Sequence, residues 1–318
     1  MKGQTEPVYV ATFRRGEMEK ILVALRQRAR YCELCPHRCG VDRQRDERGR
    51  CRTGREAVVA SFGPHFGEER PISGHRGSGT IFFAHCNLFC LFCQNDDISH
   101  GGHGRPVSPA TLADIMLSLQ AQGCHNINLV TPSHVIPPFV EALSLAAADG
   151  LRIPLVYNSG GYDSVESLEL LAGLVDIYMP DLKFLDPEYA RAWTIAPDYP
   201  AVAKEAIRAM HRQVGDLQCA ADGVAHRGLL VRHLVMPGAT ADSRAVLRFL
   251  AEEISPSTYV NIMSQYRPCG EAYRHRQLNR RPSAEEYRAV IEEARRLGLT
   301  RAEAQGAPPV DRPGGIQR

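Results

Sequence analysis

The sequence predicts an α/β fold, a series of parallel strand–helix units with a small cysteine-rich segment on its N-terminal side. Three observations carry this. From Gly77 to about residue 300, short apolar runs of strand length alternate with stretches whose apolar residues recur at helical spacing. The residues that close the strand-like runs are polar, and seven of the ten cysteines fall in two tight groups. Six units in series close as a partial barrel or spread as a doubly wound sheet, and periodicity does not choose between them.

Residues 1–15 show no periodicity and read as a loose lead-in. From Glu17, Met18, Ile21, Leu22, Leu25 and Ala29 repeat at helical spacing and bury one face of a helix ending near Arg30. Cys32, Cys35, Cys39 and Cys51 follow as C-x2-C-x3-C-x11-C, in polar, Arg-rich sequence broken by Pro36, Gly40, Gly49 and Gly54. Such a stretch has too few apolar residues to fold on a core of its own, and four thiolates around a metal supply the missing stability. Zinc and a second iron–sulfur cluster both accept that ligand set. The expected organisation is an N-terminal helix and metal-binding segment over 1–56, the strand–helix body over 57–300 and a Pro/Gly-rich flexible tail over 301–318.

Within the body, 57–60 reads as a short strand and 62–69 as a loop, before Gly77-Ser78-Gly79 leads into a main strand at 80–84. Ser108 caps a helix begun by Pro109, with Leu112, Ile115, Met116 and Leu119 as its buried stripe and Gly123 as its stop. Then come a strand at 127–130, a helix holding Phe139, Leu143 and Ala147, a strand at 154–157, a short helix marked by Leu168 and Leu171, and a strand at 176–179. An insertion at 185–199 carries the single tryptophan, Trp193, which reads as core packing. A helix at 201–214 buries Val202, Ala206 and Met210; a strand at 228–236, a helix with Val246, Phe249 and Leu250, and a strand at 259–263 complete the alternation. Ser283 and Glu286 form a capping box for a last helix with Val290, Ile291 and Ala294 inside.

The run Cys86-Asn87-Leu88-Phe89-Cys90-Leu91-Phe92-Cys93 stands on the loop after 80–84. Three thiols so spaced face one point and hold a soft metal centre. An iron–sulfur cube on three cysteines keeps one iron free for a ligand, whereas a structural site fills every position. The alternative is a structural zinc with His85, His100 or His103 as fourth ligand. Thr131, Ser133 and His134 follow one strand, Asn158, Ser159, Gly160 and Gly161 the next, and Asp181 and Lys183 the one after. His233 lies within the fifth strand, and Gln265, Tyr266 and Arg267 follow the sixth. A rim of such groups suits a charged cofactor. Cys124, Cys219 and Cys269 have no motif partners and read as buried structural thiols, with Cys269, which follows the strand-six exit Tyr266-Arg267-Pro268, the one that could face the site instead.

Lys and Arg outnumber Asp and Glu by 38 to 36 with no basic block, so nucleic acid is not indicated as a partner. No apolar run approaches the roughly 18 residues that cross a bilayer, so no membrane is indicated, and residues 1–13 lack the apolar centre of a signal peptide. Clustered thiols fit metal ligation in a reducing compartment, which makes a cytoplasmic location the expectation.

With Phe92 before Cys93 and Gln94-Asn95 after it, the cysteine run resembles the signature of the radical S-adenosylmethionine (SAM) superfamily. Gly79-Thr80-Ile81-Phe82-Phe83 leading into it is similar to the pyruvate formate-lyase activating enzyme group. The four-cysteine segment, absent from the simplest activating enzymes, resembles a largely uncharacterised branch of that group. The resemblance implies a six-stranded partial TIM-type barrel with its chemistry on the loops after the strand C-termini. It implies a [4Fe-4S] cluster on Cys86, Cys90 and Cys93, with Phe92 and Asn95 among the cofactor contacts. SAM would chelate the open iron and be cleaved reductively to methionine and a 5′-deoxyadenosyl radical that abstracts a hydrogen atom. By analogy that atom comes from a glycine of a glycyl radical enzyme such as a formate-lyase, and a flavodoxin- or ferredoxin-type protein donates the electron.

Met179-Pro180-Asp181-Leu182-Lys183 is similar to a Met-x-Asp-Leu-Lys stretch of that group, in which the Asp helps hold a cation beside the SAM carboxylate. Tyr157-Asn158-Ser159-Gly160 aligns with an Asp-Thr-Asn-Gly stretch at the same place, with Asn158 in place of the acid, which puts that cation in question. Thr131-Pro132-Ser133-His134 stands where the group has Gly-Gly-Glu. Arg232-His233-Leu234-Val235-Met236-Pro237-Gly238 resembles its fifth strand; Arg232 finds its counter-ion in the SAM carboxylate or in Asp176 or Asp181, and His233 is a further candidate contact. Two other functions stay open: a radical SAM enzyme acting on another peptide or a small molecule, and a non-catalytic iron–sulfur or zinc protein.

Overall fold

A computed structural model describes residues 6–305 of the protein. Its strands are β1 (Ala57–His65), β2 (Ser78–Phe83), β3 (Arg105–Val107), β4 (Ile127–Val130), β5 (Leu155–Ser159), β6 (Ile177–Pro180), β7 (Gln218–Cys219), β8 (Ala225–Leu234), β9 (Tyr259–Met263) and β10 (Ala302–Gln305). They form one sheet in the order β10-β9-β8-β6-β5-β4-β2-β1-β3, with β7 on β8. The six predicted main strands, β2, β4, β5, β6, β8 and β9, are mutually parallel and lie in chain order. A doubly wound sheet reverses its strand order at a switch point. No reversal occurs here, so the winding is that of a barrel, and among the described residues β9 does not pair with β2, which leaves the barrel partial.

The central strands are buried along nearly their whole length, as parallel strands covered on both faces are. Helices such as Pro109–Ala121 and Ile136–Ala148 cover the outside. The helix Ala284–Arg296 begins with the predicted capping box of Ser283 and Glu286. Among the described residues no helix is long and apolar enough to cross a membrane.

Four expectations are corrected. The lead-in contains a helix, Val8–Arg14, with Tyr9, Val10 and Thr12 buried. Helical periodicity is invisible over seven residues, and its stability is tertiary: Val8 N–H donates to Asp176 Oδ1 at 2.8 Å, Tyr9 Oη to Ile153 O at 3.0 Å and Thr12 Oγ1 to Gly173 O at 2.8 Å. The supposed loop at 62–69 continues β1 as far as His65, because β2 supplies antiparallel partners from Val59↔Phe83 to His65↔Ser78. The tail begins as a strand, β10, parallel to β9 from Ala302↔Val260 to Gln305↔Met263; the remainder of the expected tail, 306–318, lies outside the described residues. Cys219 is exposed on the two-residue β7 and Cys269 is only partly buried, while Cys124 is buried as expected.

Candidate active site

β2 ends at Phe83, and the chain turns through left-handed His85 (φ 70°) and Phe89 (φ 47°) to lay the cysteine loop across the C-terminal mouth of the barrel. The loop is held from several sides. Leu91 N–H donates to Trp193 O (3.0 Å), Ile195 N–H to Leu88 O (3.1 Å) and Glu271 N–H to Leu91 O (2.8 Å), while Asn87 Nδ2 donates to Tyr162 O (2.8 Å). Phe92 packs edge-on against Trp193 and Tyr266. The expected insertion thus contains a short helix, Pro187–Trp193, that clasps the loop.

Cys86, Cys90 and Cys93 line one cavity of about 280 Å³ together with Phe92, Asn95, Thr131, Asn158, Ser159, Asp181, Lys183 and Arg232. Two of the thiols have donors to their sulfur: Leu88 N–H lies 3.3 Å from Cys86 Sγ and Ser99 Oγ 3.2 Å from Cys93 Sγ. Burial pushes the Cys86 thiol up to about 11 and Cys90 higher still. Ligation to iron reverses this, since a metal binds the thiolate and displaces the proton.

The same cavity carries an ionic group. Asp181 accepts from Lys183 Nζ at 2.7 Å and from Arg232 Nε at 2.9 Å, and Arg232 Nη2 donates to Asn158 Oδ1 at 2.7 Å. Burial pushes the Asp181 carboxyl up, but Arg232 and Lys183 outweigh it and hold it below the ordinary range. Burial likewise opposes both cations, and Asp181 more than offsets it, so both stay firmly charged. The counter-ion of Arg232 is therefore Asp181. Asp176 lies elsewhere, accepting from the N–H groups of Val8 and Leu155.

Glycine lets the parts meet. A Cβ on Gly161 (φ +81°) would stand 2.2 Å from Asp181 O, and one on Gly160 2.6 Å from Leu88 Cδ1. Thr131 also occupies the left-handed region (φ 61°), an outlier for a β-branched residue and a form of strain that concentrates at functional sites.

His233 does not face the cavity. Alternation along β8 turns it to the helix side, where Nδ1 lies 2.7 Å from Leu182 O and Nε2 2.9 Å from Ser243 Oγ. Ser133 and His134 are also structural, bonded to Asp163 Oδ1 (2.5 Å) and Ala84 O (2.9 Å). Sequence reasoning missed Glu68, whose carboxylate lies 3.5 Å from Arg232 Nη1 and 3.1 Å from Asn128 Nδ2. It also missed the apolar wall of Phe82, Val130, Leu234 and Met263.

Comparison with known proteins matches residues 80–250 to the radical SAM superfamily. The chain belongs to that family. It is 32% identical over 276 residues to an uncharacterized protein of Methanocaldococcus jannaschii, covering 84% of this chain and 75% of the relative. Among solved structures, Streptococcus suis SuiB bound to S-adenosylmethionine aligns with a TM-score of 0.49 at 14% identity, over 71% of this chain and 50% of that one. The anSMEcpe structure with bound AdoMet aligns with a TM-score of 0.45 at 10% identity, over 67% and 57% of the two chains. The chain thus spans about half the length of the solved chains it aligns with.

Radical SAM membership implies a [4Fe-4S] cluster and SAM. Among the described residues no three His, Cys, Asp or Glu side chains close on a single ion. A cube seats its thiolates on separate irons, so three thiols lining one cavity, two with donors to sulfur and with fixed cations in the same lining, fit the group.

Proposed function

We propose that this radical SAM enzyme cleaves SAM reductively in the cavity between the three thiols and the Asp181–Lys183–Arg232 group. The observation that carries the reading is that one cavity joins Cys86, Cys90 and Cys93 to that ionic group. Cys86, Cys90 and Cys93 would hold the cluster. When bound, it supplies one electron to the SAM sulfonium, breaking a carbon–sulfur bond to give methionine and a 5′-deoxyadenosyl radical. Lys183 and Arg232 bind and orient the carboxylate of SAM, and Asp181 keeps both cations in place. Because Asp181 already carries two fixed cations, it needs no added metal ion to balance its charge. Asn158 offers a neutral amide to the ammonium and Thr131 a hydroxyl at the mouth, while the Ser159 hydroxyl donates to Asp163 Oδ2 at 2.6 Å and accepts from Gly161 N–H, which fixes the turn that lines the cavity. The apolar wall of Phe82, Val130, Leu234 and Met263 keeps water from the radical.

The hydrogen donor in this reading is a glycine of a partner glycyl radical enzyme, supported by the likeness of residues 179–183 and 232–238 to activating enzymes. A flavodoxin- or ferredoxin-type protein would deliver the electron. The test is anaerobic: reconstitute with iron and sulfide, reduce, add SAM and quantify 5′-deoxyadenosine beside a Cys90→Ala control. Formation that depends on Cys90 is expected, and none from a filled, reduced cluster, with or without a candidate partner, sinks the reading. A glycyl-radical EPR doublet on mixing with a formate-lyase-type partner checks the finer step.

A further inference from the structure

The radical SAM chemistry leaves the N-terminal four-cysteine segment without a role. Cys32, Cys35 and Cys51 are buried and Cys39 partly so, all four as free thiols. Over residues 32–53, Leu34 is the one buried apolar side chain besides the cysteines, and with Cys32 and the half-buried Val41 it reaches the edge of the main core, so the segment buries little apolar surface of its own. What the segment shows instead is a thiol cradle. Cys32 N–H donates to Val41 O and Gly40 N–H to Cys32 O, closing a loop that returns Cys39 toward Cys32, and Arg38 N–H donates to Cys35 O. Arg50 N–H lies 3.4 Å from Cys39 Sγ, and a Cβ on Gly49 would stand 2.7 Å from that sulfur, so the strand of chain carrying Cys51 passes directly against Cys39.

The spacing also speaks to the kind of centre. One C-x2-C pair followed by Cys39 and a distant Cys51 is not the two paired knuckles of a zinc finger. The segment also grips the catalytic loop. His37 Nε2 lies 2.7 Å from Asn87 O, next to Cys86. The Arg52 guanidinium sits 4.9 Å over the Phe89 ring and donates to His100 O at 3.1 Å.

We propose that Cys32, Cys35, Cys39 and Cys51 hold a second iron–sulfur cluster, which orders the N-terminal segment so that His37 and Arg52 brace the Cys86–Cys93 loop. In the full chain carrying Cys86→Ala, Cys90→Ala and Cys93→Ala, purified and reconstituted without oxygen, about four irons and about four sulfides per chain are expected. The reduced EPR signal of that variant is insensitive to SAM, and adding Cys35→Ser removes it. A chain with native circular dichroism that binds no iron, or that binds zinc and no sulfide, overturns the proposal. If the triple variant does not fold, the wild-type chain decides: about eight irons per chain support two clusters and about four overturn the second. Iron that survives the triple substitution as the whole wild-type content would keep this proposal and remove the radical SAM assignment of Cys86, Cys90 and Cys93, so the two fail separately. For the brace, His37→Ala is expected to keep the iron content and shift the SAM-dependent EPR spectrum of the first cluster; an unchanged spectrum rejects that part.

Discussion

Asp181 illustrates how a single residue organises the site. Its carboxylate balances Lys183 and Arg232 with side chains that are 18–19% exposed. Asp181→Asn leaves Lys183 without its counter-ion and Arg232 with Glu68 alone, and we expect a loss of roughly 3 kcal/mol in stability, measured by denaturant unfolding, with SAM binding lost by calorimetry. Full SAM affinity in that variant would remove Lys183 and Arg232 from the carboxylate-binding role. His233 gives a pH prediction. Burial holds its imidazole down at about 4, against an ordinary value near 6.5. A base with a depressed folded pKa contributes stability that is full above pH 6.5 and is lost as pH falls toward 4, on the order of 3 kcal/mol. An NMR titration should show the His233 ring neutral at pH 5.5; a midpoint near 6.5 would contradict its burial. That Arg232 needs a partner was legible in the sequence, because an arginine in an apolar strand demands one; that the partner is Asp181, shared with Lys183, was not. Glu68 was not, since it stands before β2 and meets Arg232 across 164 residues of chain.

At the scale of elements, the cysteine loop depends on its neighbours more than on its own sequence. The Pro187–Trp193 helix sets the loop height through Leu91, and Trp193 stacks on Tyr189 while meeting Phe92 edge-on. Trp193 is the only tryptophan, so its fluorescence reports on this junction. We expect emission to fall on reconstitution of wild-type protein and to fall less in Cys90→Ala; equal quenching would place the absorbing cluster elsewhere. The turn after β5 is similarly constrained. Gly161→Ala forces a Cβ against Asp181 O at a positive φ, and a cost of about 2 kcal/mol or more is expected in thermal unfolding, with weaker SAM binding. Strand and helix positions were readable because each is long enough to show its period. The short helix at 187–193 was not, because it spans only seven residues and is held by its contacts.

For the whole molecule, the helix Val8–Arg14 closes the end of the barrel opposite the site. Tyr9 and Val10 are fully buried, and Val8 N–H satisfies one oxygen of buried Asp176. Removing residues 1–16 exposes apolar surface and strips Asp176 of a donor, so a loss of several kcal/mol is expected from burial of about 1.5–3 kcal/mol per large side chain. The check is a calorimetric scan in which the melting temperature drops while the iron content of the reconstituted protein holds; an unchanged melting temperature would mean the helix is not part of the stable fold.

The sequence by itself determined the six parallel strand–helix units, both cysteine groups and most of the polar rim, because hydrophobic period, ligand spacing and strand-end polarity are local properties of the chain. Only the tertiary structure decided between barrel and open sheet, since that depends on strand order in space. It also turned His233 to the helix side of β8, gave Arg232 to Asp181 rather than Asp176, and brought Glu68 and the N-terminal segment to the site. Those choices are made by contacts between residues far apart in the chain, whose pairing no local period encodes.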